Sequence, residues 1–281
     1  MNDLVKPMPA ITRRKAIASL GIFGASTALA GCDATEGKHF SARANVEKLN
    51  ADGKPSHVRQ WSYVNLDSEA VAADAYRIYP DGGCMYAVFG SVIRALAKRV
   101  GEPFISFPFE MMRYGDGGVG GWGSLCGVVN GAAALIGLFQ NEISKTRREN
   151  LAAELCFWYE RTALPQFQPA KAEWADEAEP SIADSILCHV SVSRWCKATG
   201  CEASGMEKKE RCRRLSADGA KKIVEILNAN LSGLLPNTML LPEVKTCADC
   251  HGPMELNDTH GKMDCRSCHE FSAPHPSLMR E

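Results

Sequence analysis

Net charge is nearly absent from this sequence: 32 Lys and Arg stand against 33 Asp and Glu in 281 residues. A balance this close removes any compositional reason for a nucleic acid or polyanionic partner, so partner choice must come from local patches. Strand signals are scarce, which leaves a mainly α core. No strand followed by a Walker or Rossmann fingerprint is present. The run holding Gly115, Gly117, Gly118, Gly120, Gly121 and Gly123 instead reads as close backbone packing or backbone approach to a bound group. No Ser-His-Asp set or paired-carboxylate site is discernible, and the one long uncharged stretch near the start, 16–31, is too short to span a bilayer as a mature helix.

That stretch follows Thr12-Arg13-Arg14-Lys15 and ends in small residues, the order of an export signal. The paired Arg13 and Arg14 point to the twin-arginine route, with ordinary secretion as the alternative. Leu29-Ala30-Gly31-Cys32 reads as a lipoprotein cleavage box. Residues 1–32 are therefore expected to be an export signal, Cys32 a candidate lipid anchor, and the protein exported to the periplasm, with membrane anchoring through Cys32. The competing reading leaves Cys32 merely beyond an Ala-rich cleavage site.

Residues 33–62 are polar and irregular and read as an N-terminal arm. From 63 to 231 the apolar positions recur at helical spacing. Helices are expected over 67–80, 84–99, a short one from about 107, a buried one after the glycine run, then over 146–159, 181–197 and 217–231. From 232 to 281 the chain turns rich in Pro, Gly, Cys and His without apolar periodicity, so this segment needs a cofactor to organise it. The expected architecture is a helical core domain with an irregular C-terminal segment.

Twelve cysteines in an exported chain would suggest six disulfides, but their placement argues otherwise. Cys247-Ala248-Asp249-Cys250-His251 and Cys265-Arg266-Ser267-Cys268-His269 are both C-x-x-C-H, the c-type haem attachment unit. Two thiols on one turn reach the two vinyl groups at one porphyrin edge, and the adjoining imidazole meets the iron. Two haem c groups per chain are therefore expected, with His251 and His269 as proximal ligands. The competing reading is a zinc ribbon, since fourteen residues separate Cys250 from Cys265. With only seven histidines in the chain, one directly after each pair weighs against it, as does export from the reducing compartment. His260, His275 and His57 are the candidate distal ligands, each weighed against an ordinary surface role.

Cys188, Cys196, Cys201 and Cys212 form C-x7-C-x4-C-x10-C. On a helix Cys188 and Cys196 share nearly one face, and a break at Gly200 would fold Cys201 and Cys212 back toward them. Four thiolates gathered this way suit an iron-sulfur cluster, and two disulfides or buried free thiols are the alternatives. Cys84, Cys126 and Cys156 sit in apolar surroundings and read as core residues, although Cys84 and Cys126 each adjoin a glycine and could line a site.

The runs Gly82-Gly83-Cys84-Met85-Tyr86, then 106–112 with Phe107-Pro108-Phe109-Glu110, then Gly118-Val119-Gly120-Gly121-Trp122-Gly123-Ser124-Leu125-Cys126-Gly127, followed by the two C-x-x-C-H motifs, resemble the split-Soret cytochrome c family of anaerobic, notably sulfate-reducing, bacteria. The likeness covers about residues 60–270. It implies a mainly helical homodimer with two stacked bis-His haems and an iron-sulfur cluster per subunit, some axial ligation crossing the dimer interface, and the four-cysteine group from Cys188 to Cys212 as the cluster site. The expected function is electron transfer between redox partner proteins in anaerobic respiration. The rival is a reductase whose open haem or cluster position takes a small substrate such as an oxyanion; a sensor or structural role is a further alternative.

Overall fold

Asp67 begins the helical body: its side chain accepts from the N–H groups of Glu69 and Ala70, satisfying two donors that α1 (Ser68–Ile78) leaves without intrahelical partners. The structure, a computed structural model, describes residues 61–139, 143–234, 242–252, 258, 261–264 and 266. After a 3-10 turn over Tyr79–Asp81, α2 (Gly83–Val100) runs through the centre of the core and is closed by Gly101 in a positive-φ conformation. Every residue from Cys84 to Ile93 is buried, the pattern of a central helix rather than a surface one. Each large apolar side chain buried there contributes roughly 1.5–3 kcal/mol.

Beyond α2, Phe109–Gly115 forms a 3-10 helix where a short α-helix was expected, because the glycine-rich loop begins at once and leaves too few residues to propagate an α-helix. The apolar stretch becomes α3 (Gly127–Leu138), and α4 (Lys145–Arg161) starts at Ser144, whose hydroxyl accepts from the Arg147 N–H. β1 (Ala163–Leu164) then pairs antiparallel with β2 (Ser181–Ile182).

Two expected helices differ from those observed. The one expected from 181 starts at Cys188, as α5 (Cys188–Thr199), because residues before it pair through their backbone: Leu187 bridges Leu125, and Ile186 O accepts from Cys126 N at 2.9 Å. The one expected from 217 starts at Met206, as α6 (Met206–Leu231). Its first eleven residues are strongly charged, yet several of those charges are buried. α7 (Pro242–His251) also places a helix in the tail read as irregular.

α6 packs against α1, α2 and α3. Gly219 permits its closest approach to α3, since a Cβ there would lie 2.2 Å from Val128 Cγ1. Glu210, Arg213 and Arg214 are buried on the same helix. Glu210 Oε1 accepts from Tyr76 Oη at 2.7 Å and from Arg214 Nε at 2.8 Å. Arg214 also donates to the Ala175 and Asp176 carbonyls, and Arg213 donates to Tyr76 O and pairs with Glu173 at 2.7 Å. These charges are tolerated inside because each is paired, and they tie the Pro-rich loop of 165–180 to the helical body. Among the described residues no helix is long and apolar enough to cross a membrane.

Candidate redox centres

Four cysteines from four helices meet inside the body: Cys84, Cys126, Cys188 and Cys212. Three occupy helix N-termini. Cys84 is the second residue of α2, Cys126 immediately precedes α3, and Cys188 opens α5. The fourth, Cys212, faces them from the first half of α6. Unpaired N–H groups and the positive end of the helix dipole favour a thiolate or an anionic group at such positions. The glycine run holds the arrangement from outside. Ser124 O accepts from Cys188 N at 2.7 Å, Gly123 O accepts from His189 N at 3.0 Å, and a Cβ on Gly118, at φ 70°, would stand 2.8 Å from Cys188 Cβ.

The four thiols influence one another. The Cys84 thiol donates to Cys212, which, with Arg211 beside it, holds Cys212 down to about 6; the same bond and burial push Cys84 well up. Burial raises Cys126 and pushes Cys188 up to about 12, and both feel the Cys212 charge. Tyr79 Oη stands 4.0 Å from Cys84 Sγ. Tyr159, itself raised by burial, hydrogen-bonds Cys126.

Arg211 is the charge at the centre of this site. Its side chain is 1 % exposed. Nη2 donates to Ser191 Oγ at 2.8 Å, Nη1 lies 4.0 Å from Cys212 Sγ, and Nε has no partner. Among the described residues no carboxylate pairs with it, in contrast to Arg213 and Arg214 beside it. A buried cation costs several kcal/mol unless negative charge compensates it. The group beside it that can supply that charge is Cys212, held low, whereas burial pushes Cys126 and Tyr159 toward their neutral forms. A thiolate-ligated iron centre, anionic and rich in acceptors, therefore fits these residues. The sulfurs are neighbours rather than a closed shell, as no three His, Cys, Asp or Glu among the described residues already converge on one ion.

This set differs from the group drawn from sequence spacing. Cys188 and Cys212 belong to it; Cys196 and Cys201 do not. α5 is unbroken from Cys188 to Thr199, so its rise of about 1.5 Å per residue puts Cys196 about 12 Å along the axis from Cys188. Cys201 follows the left-handed Gly200 at the far end of that helix. All nine cysteines among the described residues are free, so none of these pairs forms a disulfide. Cys156, on α4, stands apart, its pKa raised by burial to about 11. Cys84 and Cys126, read from sequence as core residues able to line a site, were marked there by flanking glycines at helix starts. Arg211 carried no sequence signal.

The first haem motif lies on α7. Cys247 and Cys250, three positions apart, share one helix face, with His251 next to them. Cys250 is exposed, Cys247 and His251 are half-buried, and Val244, 5 % exposed, anchors the helix. Two thiols on one face beside an imidazole are the donor set a c-type haem requires. Between the motifs, Lys262 and Asp264 come close enough to α4 to influence Cys156 and Glu160. Cys265, Cys268 and His269 of the second motif lie outside the described residues, as do His57, His260, His275 and Cys32.

Residues 86–226 match the model of a family described as "Putative redox-active protein (C_GCAxxG_C_C)". The chain is 34 % identical over 275 residues to the split-Soret cytochrome c of Desulfovibrio desulfuricans, covering 94 % of this chain and 96 % of that protein. A solved structure described as a novel iron centre in the split-Soret cytochrome c from Desulfovibrio desulfuricans superposes with a TM-score of 0.71 at 33 % identity, covering 79 % of this chain and 95 % of that one. With a helical body, a helix carrying a C-x-x-C-H motif and a group of neighbouring thiols already evident, the chain belongs to the split-Soret cytochrome c family and is a redox protein of the electron-transfer type.

Proposed function

We propose that this protein is an exported dihaem c-type electron carrier of anaerobic respiration, with an iron-sulfur centre as a further redox site. Cys247, Cys250, Cys265 and Cys268 anchor the haems, with His251 and His269 as proximal ligands. Cys84, Cys126, Cys188 and Cys212 hold the iron centre. The haems and the centre supply one-electron chemistry when bound. The protein's own part is to fix their positions, bury the thiol group and leave the first attachment helix accessible. One electron enters and one leaves, and no bond in the chain is made or broken.

The observation that carries this reading is α7, which brings Cys247, Cys250 and His251 together on one short helix with Cys250 exposed. Exposure of a haem edge is what electron transfer between proteins needs. The signal over 1–32 supports export to the periplasm, and Cys32 supports a lipid anchor. Residues 33–62 serve as an arm, 63–231 as the helical body and 232–281 as the haem segment. Exposed Met111, Tyr114 and Trp122, the last 87 % exposed, support a homodimer or a docking surface for redox partner proteins.

Absorption and magnetic circular dichroism spectra of the purified protein test the carrier reading against the reductase. Two low-spin haems that bind neither carbon monoxide nor nitrite are expected. A high-spin haem that binds either ligand would overturn the carrier and favour the enzyme.

A further inference from the structure

Every other buried arginine on α6 has a carboxylate partner, while Arg211 has thiols. Its Nη1 approaches Cys212 Sγ at 4.0 Å, and its Nη2 donates to Ser191 Oγ at 2.8 Å. Ser191 Oγ stands 3.0 Å from Tyr159 Oη, and Tyr159 hydrogen-bonds Cys126. Tyr159 is fully buried, and Ser191 and Arg211 are each 1 % exposed, so water does not screen the network. In the structure Tyr159 Oη donates to Ser191 Oγ; with both hydroxyls rotated, Ser191 donates to Tyr159 and Tyr159 to the Cys126 sulfur, which aims the guanidinium's polarity along a chain of hydrogen bonds.

We infer that Arg211 tunes the iron centre: one buried guanidinium addresses two of its four sulfurs, Cys212 directly and Cys126 through Ser191 and Tyr159, and favours the reduced state. The inference rests on the assignment of the centre to Cys84, Cys126, Cys188 and Cys212. Reduction adds one electron to the centre, taken from a redox protein of lower potential. Iron–sulfur bonds persist and no proton moves. The added negative charge lies beside a fixed cation in a low-dielectric interior, so the cation stabilises the reduced form more than the oxidised one. Arg211 is a positioning residue, since it acts through the sulfurs and the two hydroxyls.

The test uses the full-length holoprotein and its Arg211→Met, Arg211→Lys and Tyr159→Phe variants. Non-haem iron and acid-labile sulfide are measured first, and the centre is then titrated with dithionite and mediators under electron paramagnetic resonance, the haems serving as internal reference. Arg211→Met is expected to shift the reduction equilibrium at least tenfold toward the oxidised state, 59 mV for one electron. Arg211→Lys, which keeps the charge, is expected to shift it less, and Tyr159→Phe to shift it in the same direction as Met. Unchanged potentials in Arg211→Met and Tyr159→Phe would overturn the role of Arg211. If Arg211→Met fails to assemble, the other two decide: a lowered potential in Tyr159→Phe supports the network, and unchanged potentials in both sink it. Wild-type protein without non-haem iron would instead remove the centre itself.

Discussion

A methyl group at position 118 has nowhere to go. The Gly118 backbone sits at φ 70°, and a Cβ there would stand 2.8 Å from both Cys188 Cβ and Ser124 N. The left-handed conformation alone costs a non-glycine residue about 1–2 kcal/mol, and the clash falls on a proposed ligand. Gly118→Ala is therefore expected to lower non-haem iron per haem at least severalfold and to leave haem content intact. Metal analysis against haem absorbance measures this, and an unchanged ratio would show that the loop does not hold Cys188. At this scale the sequence was partly legible. The C-x-x-C-H cysteines announce themselves because the haem attachment proposed for them demands a fixed local spacing. The thiols gathered at the inner helix starts come from distant helices, which local spacing does not see: spacing grouped Cys188 with Cys196 and Cys201, its neighbours along the chain, and read Cys84 and Cys126 as core residues able to line a site.

Among the elements, α6 departs furthest from the sequence expectation. Apolar periodicity reveals its second half, where Ile223, Val224, Ile226 and Leu227 enter the core. Its first half is buried through charge pairing, which periodicity does not detect, so the helix begins eleven residues before its expected start. The helix also makes stability depend on pH. Asp218, 7 % exposed, accepts from Gln166 N at 2.7 Å, and burial raises its pKa to about 6, against about 3.9 when unfolded. Between these values the folded state keeps a proton that the unfolded state releases. The resulting stability is full below about pH 4 and is lost as the pH rises through 6. Asp218→Asn keeps the acceptor without the charge, so it is expected to be more stable than the natural protein at pH 8 by roughly 1–3 kcal/mol and equal to it near pH 4. Urea midpoints at the two pH values check this; an equal difference at both would show that Asp218 does not titrate in the fold.

For the whole molecule, burial and cofactor chemistry divide the work. The helical class was legible because most helices carry ordinary caps and apolar stripes: Asp67 and Ser144 start two of them, and Gly101 and Gly200 end two others. The tail was legible as chemistry but not as structure, since α7 is short and polar and its helical form follows no apolar pattern. A haem attached there, as proposed, would supply the apolar bulk that the sequence of the tail lacks. The pyridine haemochrome assay on the purified full-length protein, with total iron measured on the same sample, tests the dihaem reading most directly. Two haem c per chain, with iron in excess of the haem, is the expected result. One haem or none would contradict the dihaem carrier and return the paired C-x-x-C motifs to a zinc site.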